Sequence, residues 1–246
     1  MLQPHLKIER ISRNILLPGD PDRIDRITKF LSGVREIKTA RGFRIAKGVY
    51  RGVEIAAVSS GMGCPSASIV MEELASAGAR NVIRVGTCGG LLAEEKAGDL
   101  IVPTLAACLD GTTQEYKPGI KTVRPDAKLV AGLIRGARNQ GARYFTGTNR
   151  THDAFYEPSK NFFALAGRGF VSSEMECSAV FLVGKLRKVR TAAVLVMVTP
   201  EDPEEVRKDP MLPYRLVSQK DVSRGLDNAI KSALEALVSV EKSGTR

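Results

Sequence analysis

The chain has 246 residues, of which 43% are apolar, enough to bury a sizeable core, and we expect one domain over residues 1–246. The net charge is +10, but only 5% of the residues are aromatic, tryptophan is absent and no nucleic-acid-binding motif is present. A generally basic surface or a site for small anions is therefore favoured over nucleic acid. No apolar run is long enough to span a membrane, and the N-terminus lacks the apolar segment of a secretory signal, so we expect a cytoplasmic protein.

Cysteine and histidine are used sparingly and without the spacing of metal ligands. The four cysteines form no CxxC pair and lie far apart: Cys64, Cys88, Cys108 and Cys177. Only two histidines, His5 and His152, accompany them. This pattern argues against a disulfide framework or a zinc site, and it favours cysteines that act as small core residues.

The first half of the chain alternates between strand and helix patterns. Short apolar or β-branched runs predict strands at 15–17, 43–49, 53–59 and 82–85. Helical spacing of apolar residues predicts helices at 23–31 and 66–77. The cluster Pro18-Gly19-Asp20-Pro21-Asp22 is typical of a turn that starts a helix, because Asp is a good N-cap and Pro fits the first turn.

The second half continues the alternation. It predicts strands at 99–104, 106–109, 143–148 and 191–198, and helices at 126–140 and 176–185. One face of a long C-terminal helix carries an apolar stripe: Val222, Leu226, Ile230, Ala233 and Leu237. The alternation predicts an α/β fold whose mostly parallel sheet is covered by helices. The polar, Pro-containing segment 201–213 is predicted to be a mobile loop or lid.

Arg84 is the one residue that does not fit its surroundings. It lies inside an apolar run, in the stretch NVIRVGTCGG (81–90). A buried guanidinium group is costly unless an anion meets it. We therefore expect either a bound anion or a buried Asp or Glu beside Arg84.

Glycine-bearing turns are predicted to follow three strands, at Gly19, at Gly61 with Gly63, and at Gly86 with Gly89. Such turns at the carboxyl ends of parallel strands bring backbone N–H groups to a ligand, although glycine turns are also common for structural reasons alone. Several arginines and a threonine accompany the turns: Arg23, Arg41, Arg84 and Thr87. This combination suits an oxyanion with several acceptor atoms, such as phosphate.

Five motifs carry a resemblance to a known family. They are LLPGDPDR (16–23), SSGMGCPSASIVMEEL (59–74), IRVGTCGG (83–90), DAFY (153–156) and SEMEC (173–177). In this order they resemble the nucleoside phosphorylases of the uridine phosphorylase and hexameric purine nucleoside phosphorylase type. The resemblance implies a three-layer α/β/α fold with a central mixed, partly barrel-like sheet. It also implies a reaction in which phosphate attacks the anomeric carbon of a nucleoside, with phosphate as co-substrate and no metal or organic cofactor.

The resemblance also implies roles for individual residues. Phosphate ligands would be Gly19, Arg23, Arg84 and Thr87, and Arg41 would reach the phosphate of a neighbouring subunit. Ribose contacts would be Met175, Glu176 and, from a neighbour, His5. Base contacts would be Phe155 and Thr199, and His152 either approaches the base or packs. Arg84 and Glu176 would be the catalytic pair, and the active unit would be at least a dimer with shared sites within a hexamer.

Simpler interpretations of four of these residues stay open. Glu176 could be an acid favoured by a helix N-terminus, and Arg41 could be a surface residue of a hairpin. His5 could be solvated in an N-terminal tail, and Phe155 could be a core residue.

The motifs that read the base depart from both family patterns. Purine enzymes of this type place an aspartate where Val198 and Thr199 stand here, although Glu201 and Asp202 follow closely. Uridine phosphorylases use a Gln-x-Arg pair where this chain has Ser159 and Asn161. The nearby acids favour purine nucleosides slightly. A uridine phosphorylase, a hydrolytic nucleosidase and a nucleoside-binding protein without activity are the alternatives.

Overall fold

In the computed structural model, strands and helices alternate along the described residues, which are 2–92, 94–156, 169–199 and 220–243. The strands are β1 (Asn14–Pro18), β2 (Ser32–Ile37), β3 (Ile45–Tyr50), β4 (Val53–Val58), β5 (Asn81–Gly90), β6 (Leu100–Leu109), β7 (Thr122–Val123), β8 (Tyr144–His152), β9 (Phe170–Glu174) and β10 (Arg190–Thr199). The helices are α1 (Arg23–Thr28), α2 (Gly63–Ser76), α3 (Gly111–Tyr116), α4 (Ala127–Asn139), α5 (Cys177–Leu186) and α6 (Lys220–Ser243).

All ten strands belong to one mixed sheet. Its order is β10-β6-β8-β9-β5-β1-β4-β3-β2, with β7 paired to β6. Strand β10 also pairs with β5, so β5, β9, β8, β6 and β10 close into a five-stranded barrel. Strand β5 is parallel to β1 and β10 and antiparallel to β9. The sheet predicted to be mostly parallel is therefore mixed, as the resemblance implied.

Helices cover the sheet on both sides and divide the core in two. Apolar residues of α2 and α5 pack in one buried cluster, and those of α1, α4 and α6 pack in the other. Strand β5 serves both, because Val82 joins the first cluster and Ile83 the second. The predicted three-layer fold with a partly barrel-like sheet is confirmed. None of the helices in these residue ranges is long and apolar enough to span a bilayer.

The glycine turn predicted at Gly86 and Gly89 is wrong. Strand β5 runs ten residues without interruption, and Gly86 pairs with Leu195 of β10 and Gly89 with Thr199, after a one-residue register shift on β10. Gly86 allows close packing instead: a Cβ on it would lie 2.8 Å from the Leu195 side chain and 2.9 Å from Arg84 Nη2. Gly86 is therefore required because the guanidinium group of Arg84 folds back over it.

Other boundaries also differ from the predictions. Helix α1 ends at Thr28 rather than 31, β6 is one strand rather than two, and β8 extends to His152. Strands β2 and β9 and helix α3 were not predicted. Strand β2 is mostly exposed, so it lacks the apolar alternation by which strands are found in a sequence. The predicted loop 201–213 lies outside the described residues.

Glu95 is a buried carboxyl group in the segment between β5 and β6. Its side chain is held by backbone N–H groups of Leu91 and Leu92, which donate to Oε2 at 2.9 and 3.1 Å. No group among the described residues donates to Oε1. Burial raises the pKa of Glu95 to about 7.

The raised pKa of Glu95 predicts a pH-dependent stability. The folded chain holds this proton more tightly than the unfolded chain, so the free energy of unfolding falls as pH rises from about 4.5 to about 7 and is level above that. Glu95→Gln should remove up to about 3 kcal/mol of that fall. Urea denaturation at about pH 5 and pH 8.5 measures it, with Glu115→Gln, an exposed glutamate on α3, as control. An unchanged pH dependence in Glu95→Gln would contradict the assignment.

Candidate active site

Two parallel strands, β1 and β4, end beside the middle of a third, β5, at the candidate site. Strand β1 lies between β4 and β5, and Leu17 and Pro18 are level with Arg84 and Val85. The residues that follow β1 and β4 therefore reach the middle of β5. The backbone N–H of Ser60 donates to the carbonyl of Pro18 at 2.8 Å, which ties two of these strand ends together.

Arg84 lies between two buried carboxylates. Its Nε donates to Glu174 at 3.1 Å, and its Nη2 donates to Glu176. Burial alone would lower the pKa of Arg84, but the charges of Glu176 and Glu174 raise it above its ordinary value. Of the two partners that the sequence left open for Arg84, the buried acid is present, and it is a pair of acids.

One donor of Arg84 is left over. Its Nη1 is buried and has no hydrogen-bond partner among the described residues. A Cβ on Gly19, the residue after β1, would lie 3.6 Å from Nη1, so this donor is close to the glycine turn. A buried, unpaired guanidinium N–H is costly, and an anion in this position would satisfy it.

Arg23 brings a second guanidinium group to the same place. It is the first residue of α1, and its Nη1 donates to the carbonyl of Val85 at 2.9 Å. Burial, with a smaller effect from the positive charge of Arg84, lowers the pKa of Arg23 to about 10. Arg23 therefore stays charged at neutral pH. The structure brings Gly19, Arg23 and Arg84 together at a site that favours an anion.

Glu176 stands at the N-terminus of α5 and also contacts α2 and β5. It occupies the N-cap position of α5, but its side chain makes no capping hydrogen bond. Instead, Oε1 accepts from the backbone N–H of Gly63 at 2.6 Å, and Oε2 accepts from Arg84. Burial raises the pKa of Glu176, while Arg84 acts against this. Met175 beside it is partly exposed, and its carbonyl accepts from the Cys64 thiol at 3.2 Å.

Glu174 is the residue that the sequence analysis missed. Besides Arg84, its carboxylate accepts from Asn149 and Thr151, both at 2.7 Å, and from the backbone N–H groups of Glu176 and Cys177. It therefore caps α5 and orients Arg84 at once. The signal was in the motif SEMEC, where the two glutamates stand two residues apart at the end of β9.

Thr87 is on β5, partly exposed and level with Val196 of β10. Thr87 lies three positions after Arg84, and side chains three positions apart on a regular strand point to opposite faces. We refer to Gly19, Arg23, Arg84, Glu174 and Glu176 as the Arg84 group. No contact of Thr87 with this group is shown, so its role as a phosphate ligand stays a prediction.

His5 is held away from the Arg84 group. Its Nδ1 lies 2.5 Å from Glu73 Oε1. Glu73 is near the end of α2, whereas Gly63, which contacts Glu176, is its first residue. Ten residues of helix separate these two contact points by about 15 Å. The structure therefore does not bring His5 to the site of its own subunit.

Arg41 is also outside the group. It is exposed in the turn between β2 and β3, where the N–H of Phe43 donates to Ala40 and both Arg41 and Gly42 have positive φ. This is the geometry of a type I′ turn. Within the described part of the chain, Arg41 makes no hydrogen bond or ion pair. Its neighbour Arg44 is paired with Asp25 and Glu36, so the two arginines differ in their freedom to meet a further anion.

The predicted base contacts are only partly described. His152 is the last residue of β8 and is partly exposed. The side chain of Phe155 is 54% exposed, which excludes the core interpretation, and its ring meets that of Tyr156 edge-on at 5.2 Å. Thr199 ends β10, but its side chain lies outside what is described. So do Ser159, Asn161, Glu201 and Asp202.

Comparison with known proteins identifies the family. Residues 13–219 match the family model of the phosphorylase superfamily. The chain belongs to the phosphorylase superfamily. This confirms the resemblance that the five motifs carried. The matched region contains α1, β5, β9 and the start of α5, which supply Arg23, Arg84, Glu174 and Glu176.

The relatives of this chain differ in the nucleoside for which they are named. Guanosine phosphorylase of Halorubrum lacusprofundi is 32% identical over 195 residues, which are 78% of this chain and 81% of the relative. Uridine phosphorylase of Thermococcus kodakarensis is 30% identical over 250 aligned positions, covering 96% of this chain and 87% of the relative. A crystal structure of uridine phosphorylase from Vibrio fischeri matches with a TM-score of 0.86 and 30% identity, covering 96% and 97% of the two chains.

Proposed function

We propose that this phosphorylase cleaves a nucleoside with inorganic phosphate, giving free base and (deoxy)ribose 1-phosphate. The observation that carries the proposal is the unpaired Nη1 of Arg84 beside Gly19 and Arg23, next to the carboxylate of Glu176. Phosphate fits the donors, and the sugar hydroxyls of a nucleoside fit the acceptor.

The reaction follows from this arrangement. A phosphate oxygen held by Arg84 and Arg23 attacks the anomeric carbon and forms the new C–O bond. The bond from that carbon to the base nitrogen breaks, and its electron pair leaves with the base. Positive charge builds on the sugar in the transition state, and the adjacent phosphate dianion stabilises it.

Glu176 would hold the sugar during this step. Its two oxygens already accept from Gly63 and Arg84, and each keeps a lone pair for a sugar O–H. Arg84 contacts both the expected phosphate site and Glu176. One guanidinium group therefore sets the position of the nucleophile relative to the sugar, which is why we assign Arg84 and Glu176 as the catalytic pair.

We propose purine nucleosides as the preferred substrates, with uridine as the second candidate. The guanosine phosphorylase relative and the acids Glu201 and Asp202 support the first. The uridine phosphorylase of Thermococcus kodakarensis, matched over 96% of the chain, supports the second.

We also propose that each site is completed by a neighbouring subunit. His5 and Arg41 are the two residues whose family roles belong to a neighbour. They are also two predicted ligands that stand apart from the Arg84 group in the folded chain. The smallest assembly that completes the site is a dimer in which each subunit contributes its His5 and Arg41 side chains to the other's site. The expected oligomer is a hexamer of three such dimers.

The first test uses the forked donors of Arg84. Arg84→Lys keeps a cation between Glu174 and Glu176 but loses the Nη1 donor, so it should lower kcat/KM for phosphate by roughly 100-fold, about 3 kcal/mol. The wild type is assayed with uridine, thymidine, inosine, guanosine, adenosine and methylthioadenosine, with and without phosphate. Arg187→Lys, in an exposed pair with Glu72, is the matched control.

Three results would contradict the proposal. Cleavage that proceeds equally without phosphate indicates a hydrolytic nucleosidase. Tight nucleoside binding without cleavage indicates a binding protein. An Arg84→Lys variant with unchanged phosphate dependence removes the assigned role of the guanidinium group.

The shared site is tested by co-expressing two defective chains. His5→Ala lacks the donated histidine, and Arg23→Ala lacks a phosphate ligand of its own site. In a mixed dimer, one site receives both native residues, so random pairing should restore about a quarter of the sites. Sites confined to one subunit predict no activity above the mean of the two variants assayed alone.

A further inference from the structure

One buried carboxylate contacts two successive residues of the N-terminal segment before β1, whose apolar residues Leu6, Ile8 and Ile11 are also buried in the core. Glu73, on the buried side of α2, accepts from the backbone N–H of His5 at 3.0 and 3.2 Å and from that of Leu6 at 2.8 Å. Its Oε1 also meets His5 Nδ1 at 2.5 Å. These contacts join positions 67 and 68 residues apart in sequence.

Glu73 is suited to hold this segment in one conformation. Its side chain is 7% exposed, whereas that of His5 is 31% exposed. Burial alone would raise the pKa of Glu73, but hydrogen bonds from Leu6 and His5 hold it below its ordinary value. The carboxylate is therefore charged at neutral pH and acts as an acceptor only.

The carboxylate acceptor beside Nδ1 determines whether the other ring nitrogen, Nε2, carries a hydrogen or a lone pair. Because Glu73 requires a hydrogen on Nδ1, the neutral imidazole of His5 carries its lone pair on Nε2. Nε2 makes no hydrogen bond with any residue in the described ranges. The half-buried imidazole ring of His5 thus presents Nε2 as a free acceptor on the side away from Glu73.

We propose that Glu73 is a positioning residue: it fixes the orientation and tautomer of His5 so that Nε2 accepts a hydroxyl group of the sugar bound in a neighbouring subunit. The proposal rests on the nucleoside phosphorylase function above. Helix α2 supports it, because the same helix carries Gly63 at the Glu176 site and Glu73 about 15 Å away. One helix therefore serves two sites, its own through Gly63 and a neighbour's through Glu73.

Glu73→Gln tests the proposal with little change in volume. The amide replaces one acceptor oxygen by a donor, which conflicts with the N–H groups that it faces. We expect KM for the nucleoside to rise about tenfold, with KM for phosphate unchanged. Glu72→Gln is the matched control, since Glu72 is one residue away and forms an exposed pair with Arg187 at 2.6 Å. It should leave both KM values unchanged.

A double variant separates positioning from simple anchoring of the segment. If Glu73 acts through His5, adding Glu73→Gln to His5→Ala should not raise the nucleoside KM further. An equal rise in both backgrounds would overturn the proposal. Glu73→Asp, which keeps the charge on a shorter side chain, is the second variant should Glu73→Gln not fold, and it should give an intermediate nucleoside KM.

The tautomer itself is measured without any reference to activity. In ¹⁵N-histidine-labelled protein at about pH 8, two-bond correlations should show His5 as the Nδ1–H tautomer in the wild type and as a mixture in Glu73→Gln. The signals that disappear in His5→Ala are assigned to the His5 ring, since His152 is the other histidine. An unchanged His5 tautomer in Glu73→Gln refutes the positioning role of Glu73. Absence of phosphate-dependent cleavage in the wild type refutes the proposed phosphorylase function instead.

Discussion

The ion group of Arg84 with Glu174 and Glu176 is the interaction on which the rest of the site depends. All three side chains are almost fully buried, and an unpaired charge in that environment would cost several kcal/mol. The group joins the middle of β5 to the end of β9, the start of α5 and, through Gly63, the start of α2. Elements from both halves of the chain are thereby held at one point.

The charges of the ionised side chains at the candidate site sum to zero. Two carboxylates and Arg84 alone would carry one negative charge, but Arg23 adds a positive charge next to Arg84. Glu174 is saturated with donors from the protein, which leaves Glu176 as the carboxylate with acceptor capacity for a ligand. The two carboxylates thus have separate tasks: Glu174 orients Arg84, and Glu176 is the one that we propose to meet the sugar.

Much of the local structure could be predicted from the sequence, because short apolar runs and helical spacing reflect burial directly. Arg84 was recognisable as a residue that needs a buried anionic partner, because it interrupts such a run. The glycines after Arg84 led to the wrong prediction of a turn. Glycine also allows close packing within a strand, and the sequence does not distinguish these two uses. Barrel closure by β10 and β5 joins segments about 100 residues apart, and no local pattern encodes such a pairing.

The site was predictable to different extents in its parts. Gly19, Arg23 and Glu176 were found through motifs, whereas Glu174 was passed over because its partner is remote in sequence and its role is to orient another side chain. The tie between His5 and Glu73 likewise depends on tertiary contact across 68 residues. Base recognition could not be predicted, because Ser159, Asn161 and Thr199 follow neither family pattern.

The most direct measurement is a crystal structure of the protein soaked with phosphate and an unreactive nucleoside analogue. We expect a phosphate within hydrogen-bond distance of Arg84 Nη1, Arg23 and the backbone of Gly19, with the sugar hydroxyls on Glu176. A phosphate bound elsewhere, with Nη1 of Arg84 still unpaired or turned to another protein group, would contradict the account.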